Sequence, residues 1–372
     1  MTEVLIIGGG VIGLSIARQL HKKGVREITI LERGRTGGEA SYAAAGMLAP
    51  NAETDETDDF FHLCNDSNKL YPAFARALFD ETGVDIELER SGTLYLAFTE
   101  ADVKEIRHRF GWQTKANLAV EHLNAESVRK FEPFVSPDVR EALFFPNDRQ
   151  VENRKLLAAL RKYAELNQIE IVENAKVKRL VIENEKVVSA ETVNRKFAAE
   201  TIVLATGAWT SFISADGLSL PKVKPIRGQM LAFQTAKRLF QTVIYSPRGY
   251  LVPRLDGRIL VGATVEDVGF DRTTTDAGIN FLRKNALEIA PSLINLNIVE
   301  KWSGLRPFAA DGLPVLGAFP EIENVFIATA HYRNGILLAP VTAEIMANLI
   351  VGNAASKYLK VFSPRRFQTA KV

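Results

Sequence analysis

The chain is poor in cysteine, in charge of one sign and in long apolar runs, and each shortage excludes something. Cys64 is the only cysteine among 372 residues. A lone cysteine forms no internal disulfide and no thiolate metal cluster, so a reducing cytosol is the expected compartment. Lys and Arg total 46 against 44 Asp and Glu, a formal net charge of +2. Such a balance supports neither a nucleic-acid partner nor a polybasic membrane anchor. The five histidines are scattered without metal-ligand spacing, so no metal site is expected. No stretch reaches the roughly 20 apolar residues that span a bilayer. Residues 336–351 come nearest, but Glu344 and Asn348 interrupt them. The apolar residues near the N-terminus do not read as a signal peptide, because Glu3 stands where a basic region belongs and glycines split the run. No internal repeat or low-complexity tract is evident.

What remains is an ordinary globular composition, 47% hydrophobic and 24% charged. The length suggests about two domains. Residues 4–7 form a short continuous apolar run, as expected of a strand covered on both faces. Residues 11–23 have helical spacing and stop at Gly24; residues 28–31 are a second apolar strand, ending in Glu32. The order is strand, glycine turn, helix, strand. Residues 42–50 are rich in Ala and Gly without a period, and 51–59 read as an acidic loop. Helices are expected over 60–82, 101–110, 125–131, 154–166, within 271–290 and over 336–351. Strands are expected over 92–98, 169–172, 201–205 and 324–328, with a hairpin over 176–193. Residues 222–233 and 250–262 have a more antiparallel character, and Pro133, Pro137 and Pro146 punctuate a loop-rich passage.

Gly8-Gly9-Gly10-Val11-Ile12-Gly13 fits the G-x-G-x-x-G pattern of a dinucleotide site. Gly8 permits the tight turn, Gly10 lets the backbone approach a pyrophosphate, and Gly13 lets helix and strand pack closely. The phosphates then face a helix N-terminus, where free N–H groups and the helix dipole favour negative charge. Glu32, at the end of the second strand, is placed to accept hydrogen bonds from a ribose diol. The pattern alone does not separate NAD from FAD. The small residues that follow, Thr36 to Met47, would let the backbone lie against a flat cofactor. The apolar strand ending Ala205-Thr206-Gly207-Ala208-Trp209 suits the adenine–ribose side of FAD.

With these segments the chain resembles the D-amino acid oxidase family of FAD-dependent amine oxidoreductases, and within it the glycine-oxidising branch. The likeness extends from Val4 to about Met346. It is carried by the glycine turn, Ser41-Tyr42-Ala43-Ala44-Ala45-Gly46-Met47-Leu48, Ala205-Thr206-Gly207-Ala208-Trp209 and Gly249-Tyr250-Leu251-Val252-Pro253-Arg254. Val261-Gly262-Ala263-Thr264, Trp302-Ser303-Gly304-Leu305-Arg306-Pro307, Asp311-Gly312-Leu313-Pro314 and His331-Tyr332-Arg333-Asn334-Gly335-Ile336-Leu337 complete it.

The resemblance implies that Arg306 pairs with a substrate carboxylate, a role that a planar guanidinium fills bidentately. It assigns Tyr250 to the same carboxylate, Arg333 to the carboxylate or the flavin, and Met47 to the pocket wall. The cofactor contacts it implies are Gly8, Gly10, Val11, Ile12, Gly13, Glu32, Arg33, Ala40, Ser41, Ala45, Gly46, Met47, Val177, Thr206, Gly207, His331, Tyr332, Arg333, Asn334, Gly335, Ile336 and Leu337. The family's glycine-oxidising members have a histidine two residues before the active-site tyrosine; this chain departs from them with Arg248. Cys64 lies outside the C-terminal region where related sarcosine oxidases link their flavin, so non-covalent FAD is expected.

The expected fold is α/β: a Rossmann-like FAD-binding domain with a parallel sheet and helices, plus a discontinuous α+β substrate domain with a mainly antiparallel sheet. The first takes residues 1–84, 148–219 and 302–372; the second takes 85–147 and 220–301. The implied activity is oxidative deamination of glycine and small D- or N-methyl amino acids by hydride transfer to flavin N5. Oxygen is reduced to hydrogen peroxide, and in some bacteria the glycine imine feeds the thiazole of thiamine. The implied partners are a small amino acid and oxygen, in a cytoplasmic homo-oligomer, tetramers occurring in the family. The alternatives are a D-amino acid oxidase, a quinone-linked D-amino acid dehydrogenase, a non-catalytic flavoprotein subunit and an NAD-dependent dehydrogenase.

Overall fold

Two sheets of different character face one another in the computed structural model, which describes residues 2–353 and 356–367. Residues 1, 354–355 and 368–372, assigned above to the FAD-binding domain, lie outside the described residues. The first sheet has a parallel core in the order Glu170–Val172, Ile28–Leu31, Thr2–Ile7, Lys196–Leu204 and Val325–Thr329, with Val315–Ala318 antiparallel at its edge. Leu5 sits opposite both Thr29 and Ile202, and Ile202 opposite Val325. Side chains alternate as a period of two requires. Val4, Ile6, Ile28, Ile30 and Val203 face one core; Leu5, Ile7, Leu31, Ile202 and Leu204 face the other. The helices Val11–Lys22, Asp59–Thr82, Asn153–Leu166 and Gly335–Ile350 cover the first of these faces. The hairpin Arg179–Glu183 and Lys186–Glu191 covers the second.

The second sheet has eight strands, and all but one neighbouring pair are antiparallel. Its order is Ile298–Ala309, Val223–Gln234, Arg258–Gly262, Gly249–Pro253, Val243–Ser246, Thr93–Ala97, Glu141–Phe145 and Glu121–Asn124. The helix Asp276–Ile289 packs on one face through Ile279, Leu282 and Ala286. The other face, carrying Met230, Tyr250, Leu260 and Trp302, is turned toward Ala43 and Ala45 of the first unit.

The structure departs from the sequence reading at several places. The period-free stretch contains a turn of helix, Ala40–Ala43, and a two-residue strand, Met47–Leu48. The acidic loop expected from residue 51 begins instead as the short helix Pro50–Glu53, because Pro50 suits a helix start and the Asp148 carboxylate accepts from the Asn51 N–H. Glu141–Phe145 is a strand within the passage read as loop. The helix expected to stop at Phe110 continues to Lys115. Ile298–Ala309 is a twelve-residue strand that the sequence reading did not anticipate, and it crosses residue 301. Lys196–Leu204 begins earlier than expected, because its first half pairs with the hairpin and its second half with the parallel sheet.

Candidate active site

Between the two sheets lies a cleft with about 1670 Å³ of atom-free space, part of it open to solvent. It runs from the glycine turn, Gly8 and Gly10, to Tyr250 and Arg306, so it is lined from both sheets.

At one end stands the glycine turn. Gly8 has φ +117°, and a Cβ there would come within 2.3 Å of the Ala205 carbonyl oxygen; a Cβ on Gly13 would come within 2.0 Å of the Gly8 oxygen. These two glycines are required by backbone packing, before any ligand is considered. Gly8, Gly10, Val11 and Ile12 line the cleft. Gly13 does not, and its contribution is the close fit of helix to strand. The helix N-cap, Gly10, has no side chain to satisfy the first-turn N–H groups, and the Ser41 hydroxyl accepts only from Val11. The other first-turn donors have no partner within the helix, the arrangement that binds a diphosphate.

Glu32 is buried at the tip of its strand, accepting from the N–H groups of Gly9 and Gly34 at 2.8 Å each. Burial pushes its carboxyl up, and those two bonds oppose the shift. Beside it the Arg33 guanidinium lies over the Trp209 ring, 3.1 Å from its centre, and one buried Arg33 nitrogen has no hydrogen-bond partner. Thr206, Gly207 and Val177 complete this end. Free helix donors, a strand-end carboxylate and an unpartnered guanidinium nitrogen fit the adenosine and diphosphate of FAD.

The loop that borders the centre of the cleft is fixed from the opposite sheet. The buried Arg254 donates to the Ala45 carbonyl (2.6 Å) and the Val151 carbonyl (2.7 Å), and the Trp302 indole N–H donates to the Ala43 carbonyl (3.0 Å). Ala40, Ser41, Ala45, Gly46 and Met47 therefore form one rigid wall.

At the other end, Arg306 projects from Ile298–Ala309, and its Nη1 donates to the Thr264 carbonyl at 3.1 Å. No carboxylate among the described residues forms a salt bridge with it, although it lines the cleft. Tyr250 is buried beside it, with its hydroxyl 3.7 Å from the Met230 sulfur. Burial pushes the phenol up, opposed by the Arg306 and then the Arg333 charge, so the hydroxyl is a donor at neutral pH. Arg333 has a partner: it donates to Glu53 at 3.1 Å and to the Tyr245 hydroxyl at 3.4 Å. The Glu53 charge holds its pKa above the usual arginine range. His331 is buried and bonded to Thr342 (3.0 Å), and burial drives its pKa down to about 3. His331, Tyr332, Arg333, Gly335 and Ile336 line the cleft. Asn334 and Leu337 do not; Asn334 caps the helix Gly335–Ile350 through its backbone, without a side-chain bond.

Among the cleft residues that the sequence does not mark are Glu53, hidden in an acidic run, and Met230, in an apolar strand. Tyr245, outside the cleft lining and in a segment with no motif, stacks on Tyr250 at 6.4 Å. Arg248 is turned out of the cleft: it lies over Phe98 and donates to Glu288 at 2.7 Å. Cys64 is buried in the helical core, away from the cleft lining, and burial pushes its thiol well up.

A family model described as FAD dependent oxidoreductase (DAO) matches residues 3–349. Glycine oxidase from Geobacillus kaustophilus is 35% identical over 367 residues, 98% of this chain and 97% of that protein. Glycine oxidase from Pseudomonas aeruginosa is 33% identical over 355 residues, with 94% and 95% covered. A bifunctional ThiO/ThiG protein of Synechocystis is 37% identical over 99% of this chain, which spans only 54% of that protein. The crystal structure of glycine oxidase from Geobacillus kaustophilus superposes with a TM-score of 0.93 at 34% identity, covering 99% of each chain.

Proposed function

The chain belongs to the DAO family of FAD-dependent oxidoreductases, and from that premise we propose that it oxidises glycine and other small primary or N-methyl amino acids in the cytoplasm. The observation that carries the reading is Arg306, a guanidinium in the cleft that forms no salt bridge to a described carboxylate. A carboxylate ligand supplies the missing partner through a charge-assisted pair. The protonated Tyr250 hydroxyl donates to the same group. Met47 and Met230 leave an apolar wall where a substrate side chain would lie, which favours substrates with little or none.

FAD, when bound, supplies the two-electron acceptor for the hydride of the α-carbon. The chain's residues orient the substrate and exclude water, which is where an enzyme contributes in cofactor chemistry. Glu32, the first turn of Val11–Lys22 and Arg33 would hold the adenosine and diphosphate, and the wall from Ala40 to Met47 would border the ring system. The overall reaction gives the imine, hydrolysed to a 2-oxo acid, with oxygen reduced to hydrogen peroxide. Likeness to the ThiO/ThiG proteins supports supply of glycine imine to the thiazole of thiamine.

The test is a purified protein with a flavin spectrum, mixed with glycine, sarcosine, D-alanine and D-proline. Bleaching under argon and peroxide under air support the proposal. Bleaching without peroxide would assign a quinone-type acceptor, and a protein that no amino acid bleaches would refute it.

A further inference from the structure

The helix Gly335–Ile350 contains a proline at its sixth position, and another helix repairs the damage. Pro340 lies inside Gly335–Ile350. It has no N–H, so the Ile336 carbonyl loses its intrahelical donor. The Tyr71 hydroxyl donates to that carbonyl. One turn earlier, the Ser67 hydroxyl donates to the Leu337 carbonyl at 2.6 Å and accepts from the Val341 N–H at 3.4 Å. Both side chains are fully buried and both belong to Asp59–Thr82.

The first turn of Gly335–Ile350 lies on the cleft, through Gly335 and Ile336, and its body packs against Met47–Leu48. The carbonyl that Tyr71 binds shares a peptide group with the Leu337 N–H, and the carbonyl that Ser67 binds shares one with the Leu338 N–H. Leu338 donates to the Asn334 carbonyl at 2.8 Å, closing the first turn. Leu337 is the third helical residue, so its N–H has no intrahelical acceptor; it lies directly behind Ile336, which lines the cleft, and points with the helix dipole toward the N-terminus. A hydrogen bond to a peptide oxygen polarises the N–H of the same peptide.

We propose that Tyr71 and Ser67 are positioning residues that hold and polarise this first turn, and so raise the electron affinity of the bound FAD. Two-electron reduction leaves negative charge on the flavin, and fixed N–H donors at a helix N-terminus stabilise negative charge. The inference rests on the family's cofactor and is independent of which amino acid is the substrate.

The experiment is the midpoint potential of the bound flavin in the holoenzyme, by dye-equilibrated reductive titration, for wild type, Tyr71→Phe, Ser67→Ala and Ser67→Thr. Leu78→Ala, a buried change on the same helix outside the cleft lining, is the control for lost stability alone. Tyr71→Phe should weaken binding of the reduced flavin relative to the oxidised about tenfold, a potential about 30 mV more negative. Ser67→Ala should move it in the same direction and Ser67→Thr should restore it. Leu78→Ala should lower the melting temperature and leave the potential in place. A wild-type potential in both Tyr71→Phe and Ser67→Ala overturns the proposal. If Tyr71→Phe does not fold, the serine pair decides alone. A wild-type protein without flavin would instead refute the cofactor reading, a distinct result.

Discussion

The guanidinium of Arg306 lies flat against Gly228 on the neighbouring strand, at a position where a Cβ would approach its Nη1 within 2.2 Å, Nη2 within 2.3 Å and Cζ within 2.4 Å. The strand register places Gly228 opposite Gly304 and Ile226 opposite Arg306. The arginine that carries the functional reading therefore has its position set by a residue that contributes no side chain.

Gly228→Ala should displace the guanidinium from the Thr264 carbonyl without removing its charge. The expected effect on glycine turnover is a KM raised roughly tenfold or more, from the 1.5–3 kcal/mol that a charge-assisted hydrogen bond contributes. Arg306→Ala should raise it further. Flavin content should match wild type in both, because neither residue lies at the dinucleotide end. Steady-state kinetics with glycine check this, and an unchanged KM in both variants would remove Arg306 from the substrate site.

Gly13→Ala should act at the other end. Its Cβ would fall 2.0 Å from the Gly8 oxygen, so the helix must withdraw from the strand and carry its N–H groups away from the diphosphate. The protein should purify with little or no flavin and should bind added FAD far more weakly than wild type. A variant with full flavin absorbance would show that the turn tolerates the shift.

The parts of this site that the sequence made legible are those fixed by local stereochemistry. Gly8, Gly13 and Glu32 lie within one strand–helix–strand unit, where spacing alone dictates which backbone approaches which. Glu53 was not legible, because an acid in an acidic run reads as solvated until its partner is known, and that partner, Arg333, lies 280 residues away. Met230 and Tyr245 met the same obstacle. Each looks like an ordinary strand residue, and only the packing of the second sheet turns them toward Tyr250. Ile298–Ala309 was missed because Lys301, Ser303, Gly304 and Arg306 break the apolar alternation; its pairing with Val223–Gln234 supplies the order that propensity does not.

The Glu53–Arg333 pair yields a prediction about substrate charge. Arg333 is neutralised by Glu53 and leaves Arg306, among the described residues, as the available cation for a monocarboxylate at this end of the cleft. Glu53→Gln removes that neutralising charge and creates a second anion site. The KM for a dicarboxylate such as iminodiacetate should fall roughly tenfold relative to that for glycine. Parallel changes for both substrates would mean that Glu53 acts on the amine or on the fold and leaves the anion balance untouched.

Asp148 gives the pH prediction. It is fully buried, and burial drives its carboxyl up to about 7 despite bonds from the backbone and side chain of Asn51, the latter at 2.8 Å. Its ordinary value is 3.8. In the folded protein the proton is held up to about pH 7, whereas the unfolded chain releases it near pH 4. Between those values the folded state binds more protons, so stability falls as pH rises, by roughly 1.4 kcal/mol per pH unit from this group alone. The contribution is complete below the unfolded value and lost as pH rises through the folded one. An amide has no such titration, keeps an oxygen for Asn51 and offers a donor toward the buried Thr93 hydroxyl beside it. Asp148→Asn should therefore gain stability over wild type steadily from pH 5 to pH 7 and level off above that. Chemical denaturation of the two proteins across that range measures the difference directly. A difference independent of pH would mean that Asp148 is already ionised in the folded protein at pH 5.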